Sequence, residues 1–355
     1  MIIGRSRKSR SAEHNLEVTV TIHQASLPES SAEEGGSSLS LVNQTGRKAA
    51  KTAVQWMVVI ATTVMILRVG NQHWNELRDL DLRFNLFWVV NAAVATTAAN
   101  LLLPLGWKCL IASYGTFVAT GRAVRVWCLA QSARYVPTGL VAIASRLQLA
   151  AKEGIPRSVT AISIAVETLV LVAWALVACA IFAPATILPG VTRWLLGVAA
   201  LSGLVAAPWI LPGIAARLPG TGKVAVPTSR RHLLAEGIAV LGASVAVRAV
   251  GTLALAGAFL TVDSADVPLI IGASYAAVIA GMVGVTPAGL GVREGVLAAI
   301  LVDRFGLADA AAFALLSRVW EFGFEMAFLG VAWWWGRRPT NDHAVAESGD
   351  DNGKL

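Results

Sequence analysis

The sequence predicts an all-α polytopic membrane protein, with about six full spans and two oppositely oriented re-entrant helical hairpins. Three observations carry this. The chain of 355 residues is 55% hydrophobic and only 14% charged, where soluble domains carry about 25% charged residues. Its long apolar runs alternate between basic and acidic flanks, as the positive-inside rule requires. Two stretches broken by Pro and Gly stand at corresponding places in the two halves, a pattern that marks the binding site in many secondary transporters. By hydropathy alone the same chain gives about eight or nine helices.

Residues 1–50 are polar, rich in Ser, Glu and Gly, and open on Arg5, Arg7, Lys8 and Arg10. No apolar core follows those charges at signal-peptide distance. The segment reads as a disordered cytoplasmic tail, with a short alternating run at 16–22. Arg47, Lys48 and Lys51 then precede the first apolar run, about 53–69, and place the N-terminus inside. Glu76, Asp79 and Asp81 in the loop 71–85 suit the outside, and a second span, about 86–105, returns. Residues 107–152 break the pattern. Lys108, Arg122, Arg125, Arg134 and Arg146 interrupt every apolar run there, so no clean span of about 20 residues fits. A hairpin that enters from the cytoplasm and turns at Pro137-Thr138-Gly139 accommodates them.

The next span, about 158–183, holds Glu167 roughly ten residues in, about 15 Å deep and near the middle of a core about 30 Å thick. A span at about 191–211 goes back to a basic, cytoplasmic loop with Arg217, Lys223, Arg230 and Arg231. The span at about 234–261 carries Arg248 near its middle, and Asp263 and Asp266 follow it on the outside. Runs at 267–285 and 295–303 flank the irregular stretch Val285-Thr286-Pro287-Ala288-Gly289-Leu290-Gly291-Val292-Arg293-Glu294-Gly295. Lipid-exposed irregular backbone is not tolerated in a bilayer, because its amides find no partner. This stretch therefore reads as the tip of a second hairpin, entering from the exterior. The last span, about 310–335, contains Arg318, Glu321 and Glu325 and ends on Trp333-Trp334-Trp335 and Arg337-Arg338, an interfacial anchor at the cytoplasmic side. Residues 51–338 are thus one transmembrane domain, and 339–355 a disordered cytoplasmic tail.

The halves repeat. Pro137, Gly139, Arg146, Gly154 and Glu167 correspond to Pro287, Gly289, Arg293, Gly306 and Glu321. Pro to turn glycine is 17 residues in one half (154−137) and 19 in the other (306−287). Pro to the membrane carboxylate is 30 (167−137) and 34 (321−287). With the hairpins on opposite sides, this is an inverted repeat.

Several chemistries are excluded. There is no P-loop, nucleophile elbow or metalloprotease motif. Cys109, Cys128 and Cys179 lie in apolar segments without metal or disulfide spacing. No basic, aromatic-interleaved module points to nucleic acid. Neither a metal nor a cofactor is expected.

What needs explaining is charge at membrane depth: Arg134, Arg146, Glu167, Arg248, Arg293, Glu294, Arg318 and Glu321. Such groups face a cavity or a partner. Arginine grips phosphate with a planar fork, and a helix starting after Gly289 or Gly291 aims its first amides at the hairpin tip. The expected ligand is an anion with an apolar tail, a lipid phosphate. Arg293, Glu294, Arg146, Arg134 and Arg248 are the candidate phosphate-binding residues. Glu167, Glu321 and Arg318 are the pairing or coupling residues, with Pro137, Gly139, Pro287, Gly289 and Gly291 at the hairpin tips.

The motifs Arg134-Tyr135-Val136-Pro137-x-Gly139 and Thr286-Pro287-x-Gly289-Leu290-Gly291-Val292-Arg293-Glu294, with the Gly154-Ile155 turn before Glu167, resemble the lysylphosphatidylglycerol synthase transmembrane family over residues 50–338. Thr138 and Ala288 depart from the small residues expected there. The resemblance implies a flippase-like domain in a bacterial or archaeal plasma membrane, moving a lipid or a lipid-linked head group between leaflets. Full-length synthases add an aminoacyl-transferase domain, for which this chain reads as having no room. Membrane lipids are the expected partners, with a homo-oligomer or a lipid-modifying enzyme left open. Two other readings stand beside transport: a transferase acting on lipid-linked sugars, for which Asp79-Leu80-Asp81 is the one acidic candidate, and a non-catalytic membrane subunit.

Overall fold

A computed structural model describes residues 85–131, 133, 140–185, 188–215, 230–283 and 289–335. The first predicted span, both tails, the hairpin-tip residues Arg134, Pro137, Gly139 and Pro287, and Asp79 and Asp81 lie outside these. Among the described residues the chain is entirely helical. The helices are α1 (Leu86–Ser113), α2 (Thr120–Gln131), α3 (Leu140–Lys152), α4 (Arg157–Phe182), α5 (Gly190–Ala215), α6 (Arg231–Phe259), α7 (Val267–Val283), α8 (Val292–Phe305) and α9 (Leu307–Trp335), with a 3-10 turn at Ser264–Asp266.

Helices α1, α4, α5 and α6, and the stretch Ser264–Val283 that contains α7, are long and apolar enough to cross a membrane. Helix α9 has 29 residues, about 44 Å at 1.5 Å per residue. Helices α2, α3 and α8, of 12, 13 and 14 residues, reach only about 18 to 21 Å, short of a core about 30 Å thick. These are the elements that the sequence places in the hairpins. Two boundaries differ from expectation. Helix α1 runs past residue 105, through Pro104 and Lys108, to Ser113. Lys108 ends up near the helix terminus, where its amine donates to Thr120 Oγ1 at 2.8 Å, so its charge leaves the apolar stretch. Helix α7, expected as one arm of a hairpin, reaches the length of a span together with the 3-10 turn before it, over Ser264–Val283.

Close approach of small residues sets the packing, as it does where lipid supplies no hydrophobic drive between helices. Helix α6 lies along α1 in the most extensive pair among the described helices. A Cβ on Gly106 would stand 2.8 Å from Leu241, and one on Gly237 would stand 3.2 Å from the Gly106 carbonyl oxygen. Ser244 adds a hydrogen bond to the Ala99 carbonyl at 3.0 Å. Helix α4 packs on α5 and α7. Gly272 of α7 sits directly on the end of α4, where a Cβ would stand 2.5 Å from Ala183 Cα.

Helices α7 and α8 form an antiparallel pair tied at both ends. At one end Arg304 donates to Asp266 at 2.6 Å and to Asp263 at 3.1 Å. At the other, Gly289 lies against Gly281, where a Cβ would meet Gly281 Cα at 2.9 Å, and its φ of +70° already favours glycine. Gly154 and Gly306, the turn glycines of the two halves, share φ values of +78° and +83°.

The contrast between two glycines tests this packing. Gly272→Ala has to displace backbone, so it is expected to cost about 1–3 kcal/mol and lower the melting midpoint in detergent by several degrees. Gly203→Ala, with nothing within 4 Å of the added carbon, should leave the midpoint unchanged or raise it slightly.

Candidate functional site

Helices α1 to α4 and α6 to α9 line a cavity of about 330 Å³. Of the described helices only α5 contributes nothing to its lining. Gln131, at the end of α2, and Ala142, Ile143 and Arg146 of α3 bring the first predicted hairpin to its wall. Val278 of α7 and Arg293 of α8 bring the second. The two broken elements therefore meet at one cavity.

One side of it is built around Arg146. An arginine in a dry interior requires a counter-charge at close range. Arg146 Nη2 lies 2.6 Å from Glu167 Oε2. The other carboxylate oxygen of Glu167 accepts from Trp127 Nε1 at 2.9 Å. The Arg146 guanidinium stands 4.5 Å from the centroid of the Trp107 ring and 6.0 Å from that of Trp127, within cation–π range of both. Trp107 is itself fixed, donating to Ser163 Oγ at 2.9 Å. Arg146 and Glu167 are 9% and 5% exposed, and Arg146 Nε makes no hydrogen bond.

The opposite side is built around Glu321, roughly halfway along α9. Arg293 grips it with two parallel hydrogen bonds of 2.7 Å each, the strong bidentate form of the pair. Arg248 and Arg318 approach the same carboxylate at 3.6 Å. Arg248 also donates to Asn100 Oδ1 of α1 at 2.8 Å. Glu294 has a different task. Its Oε2 accepts from the Gly291 backbone N–H at 2.6 Å, which satisfies an open donor at the start of α8. Its Oε1 lies 3.3 Å from Arg318. The adjacent Arg293 and Glu294 thus serve separate partners, as their adjacency predicts. In each half the arginine of the short helix pairs with the carboxylate of the long helix that follows: Arg146 of α3 with Glu167 of α4, Arg293 of α8 with Glu321 of α9.

Of the residues singled out in the sequence, Arg146, Glu167, Arg248, Arg293 and Glu321 line this one cavity. Glu294 and Arg318 stand just behind it, with Arg293 and Glu321, around a small void of about 10 Å³. Gly289 and Gly291 shape the turn into α8. Sequence reasoning passed over Trp107, Trp127, Asn100 and Tyr275, and did not count Glu325 among the site residues. Asn100 gave a signal, a polar side chain deep in an apolar run. The tryptophans gave none, because an aromatic in an apolar helix reads as packing. Glu325 changes the charge count. The described lining holds Arg146, Arg248 and Arg293 against Glu167, Glu321 and Glu325, three positive and three negative groups.

Apolar helices of bilayer length, packed around charges paired midway along α4 and α9, define a multi-pass membrane protein. The chain belongs to the family described as lysylphosphatidylglycerol synthase TM region, which matches residues 52–328. No curated protein and no solved structure matches it.

The Arg146–Glu167 pair yields a direct test. Glu167→Leu leaves Arg146 buried without its counter-charge and should cost about 3–5 kcal/mol. Adding Arg146→Met removes the stranded charge and should recover most of that loss. Unfolding of the two variants in detergent against the parent checks it; equal destabilisation by both would contradict the pairing.

Proposed function

We propose that the protein is a flippase-like lipid transporter, not an enzyme. It moves an anionic lipid, phospho- or polyprenyl-phosphate-linked, between the leaflets of a bacterial plasma membrane, with both termini cytoplasmic. The observation that carries this reading is the cavity itself, where arginines from both broken elements converge at mid-depth. A phosphate offers the same planar, two-oxygen face to Arg293 as the Glu321 carboxylate does, so the headgroup exchanges for the carboxylate on the same fork. Arg146, in contact with two indole rings and with its Nε unengaged, supplies a second grip. Arg248 is positioned for a third.

In this reading the α7–α8 pair is re-entrant. Its open end, clasped by Asp266 and Arg304, lies beside the start of α9, and Glu321 is 14 residues (321−307) into that helix, about 21 Å. Arg293, in the first turn of α8, reaches Glu321, so the hairpin tip stops at that depth. The α2–α3 pair, whose helices are both too short to cross, approaches from the opposite side. Alternating access is then a rocking of the two halves around the fixed charges, as in transporters built on inverted repeats.

Reconstitution tests the reading. In vesicles carrying a fluorescent anionic phospholipid, the protein should speed exchange between leaflets well above protein-free vesicles. Arg293→Ala should lower that rate at least about tenfold, the worth of one lost charge-assisted bond, with an unchanged gel-filtration profile. Parent-like exchange by a folded Arg293→Ala protein would remove Arg293 from the site.

A further inference from the structure

We propose that the cavity has a second subsite, a side chamber that takes the hydroxyl groups of a short neutral polyol carried on the lipid phosphate. The protein thereby selects headgroups that bear hydroxyls over those that end in an alkyl chain or an amine. This rests on the lipid-transport reading above and deepens it.

A chamber of about 50 Å³ lies against the main cavity. Leu103, Trp127, Gln131, Arg248 and Glu325 line both, so the two spaces share a wall. A buried water takes about 10–15 Å³ of such space, which leaves room here for about three to five water-sized groups. The chamber begins one guanidinium beyond the Arg293 fork. Glu321 Oε1 lies 2.7 Å from Arg293 Nη2 and 3.6 Å from Arg248 Nη1. Arg248 Nη2 in turn donates to Asn100 Oδ1, on the chamber wall, at 2.8 Å. Two guanidiniums beside one carboxylate oxygen stand within the length of a short headgroup. A group carried by a phosphate on the first therefore reaches past the second.

The lining chemistry sets the class of that group. Asn100 is only 7% exposed. Its oxygen is taken by Arg248, and among the described residues its amide N–H groups have no acceptor. The half-buried Gln131 side chain makes no hydrogen bond among the described residues with either its N–H groups or its oxygen. A polar side chain on a buried wall without a protein partner is satisfied by water or a ligand. An ammonium only donates and an alkyl chain does neither. A hydroxyl donates and accepts, so it answers the Asn100 N–H, both ends of Gln131 and the Arg248 guanidinium alike. The carbons between hydroxyls need an apolar face. The Trp127 ring, fixed by its N–H on Glu167 at 2.9 Å, supplies it with Leu103 and Phe328.

The experiment uses the full chain in phosphatidylcholine vesicles doped, in turn, with three fluorescent lipids of identical tails: phosphatidylglycerol, phosphatidylpropanol and phosphatidylethanolamine. The first two carry the same charge on headgroups of equal carbon count, and only phosphatidylglycerol bears hydroxyls. The parent protein should exchange phosphatidylglycerol between leaflets at least about fivefold faster than phosphatidylpropanol, the worth of one net hydrogen bond, with phosphatidylethanolamine also slower. Gln131→Leu should bring the ratio of the first two rates toward one. Equal or reversed rates in the parent, both well above protein-free vesicles, overturn the subsite and leave lipid transport standing. So does a folded Gln131→Leu protein that keeps the preference. Phosphatidylethanolamine exchanging fastest also overturns it, and would make the chamber an amine site served by Glu325. Exchange of every lipid no faster than in protein-free vesicles overturns the lipid-transport reading, and this inference with it.

Discussion

The two-pronged bond between Arg293 and Glu321 is the interaction on which the rest of the arrangement depends. A buried arginine is tolerable only with a counter-charge in hydrogen-bonding contact. To set Arg293 against Glu321, halfway along α9, the chain must begin a helix beside it. Beginning a helix leaves open backbone donors, and Glu294 satisfies one of them by turning back to Gly291. Glu294 then needs its own cation, which Arg318 supplies, and Arg318 stands three residues from Glu321 on α9. A single buried charge thus draws Glu321, Glu294, Arg318 and Arg248, from α6, α8 and α9, into one network.

Helix packing is subordinate to that network. Gly281 and Gly289 let the two arms of the α7–α8 hairpin touch through backbone, which brings the Arg293 Cβ within 3.4 Å of the space a Gly281 side chain would take. The Arg304 clasp on Asp263 and Asp266 fixes the other end of the same hairpin. The first half reaches a comparable result with different means. There two indole rings orient the arginine and a third group, the Trp127 N–H, steadies the carboxylate. The likeness between the halves lies in the order of parts: short helix with arginine, turn glycine at positive φ, long helix with carboxylate.

The spans expected at 86–105, 158–183, 191–211 and 234–261 were legible in the sequence because bilayer thickness dictates their length. The site was legible as a set of charges, since no membrane segment carries an arginine without a reason. The pairing was not. Arg146 and Glu167 are 21 residues apart (167−146) and Arg293 and Glu321 are 28 apart (321−293), so only the folded chain shows which charge meets which. The end of α1 was misjudged for a simple cause: Lys108 looked like a membrane boundary, yet the helix continues and the side chain reaches Thr120. Trp107 and Trp127 were indistinguishable from packing residues; only the folded chain sets their rings against Arg146. The balance of the lining was missed because Glu325 was set aside while Arg134, outside the described residues, was counted.

The central claim, that the cavity between the two broken elements holds a lipid phosphate, is tested most directly by mass spectrometry of lipids that co-purify in mild detergent. Parent protein, Arg293→Ala and Arg146→Ala would be compared after confirming that each is folded. The account predicts one class of anionic lipid enriched over the membrane average in the parent and lost in both variants. Equal lipid content in all three proteins, with no anionic lipid enriched, would contradict it.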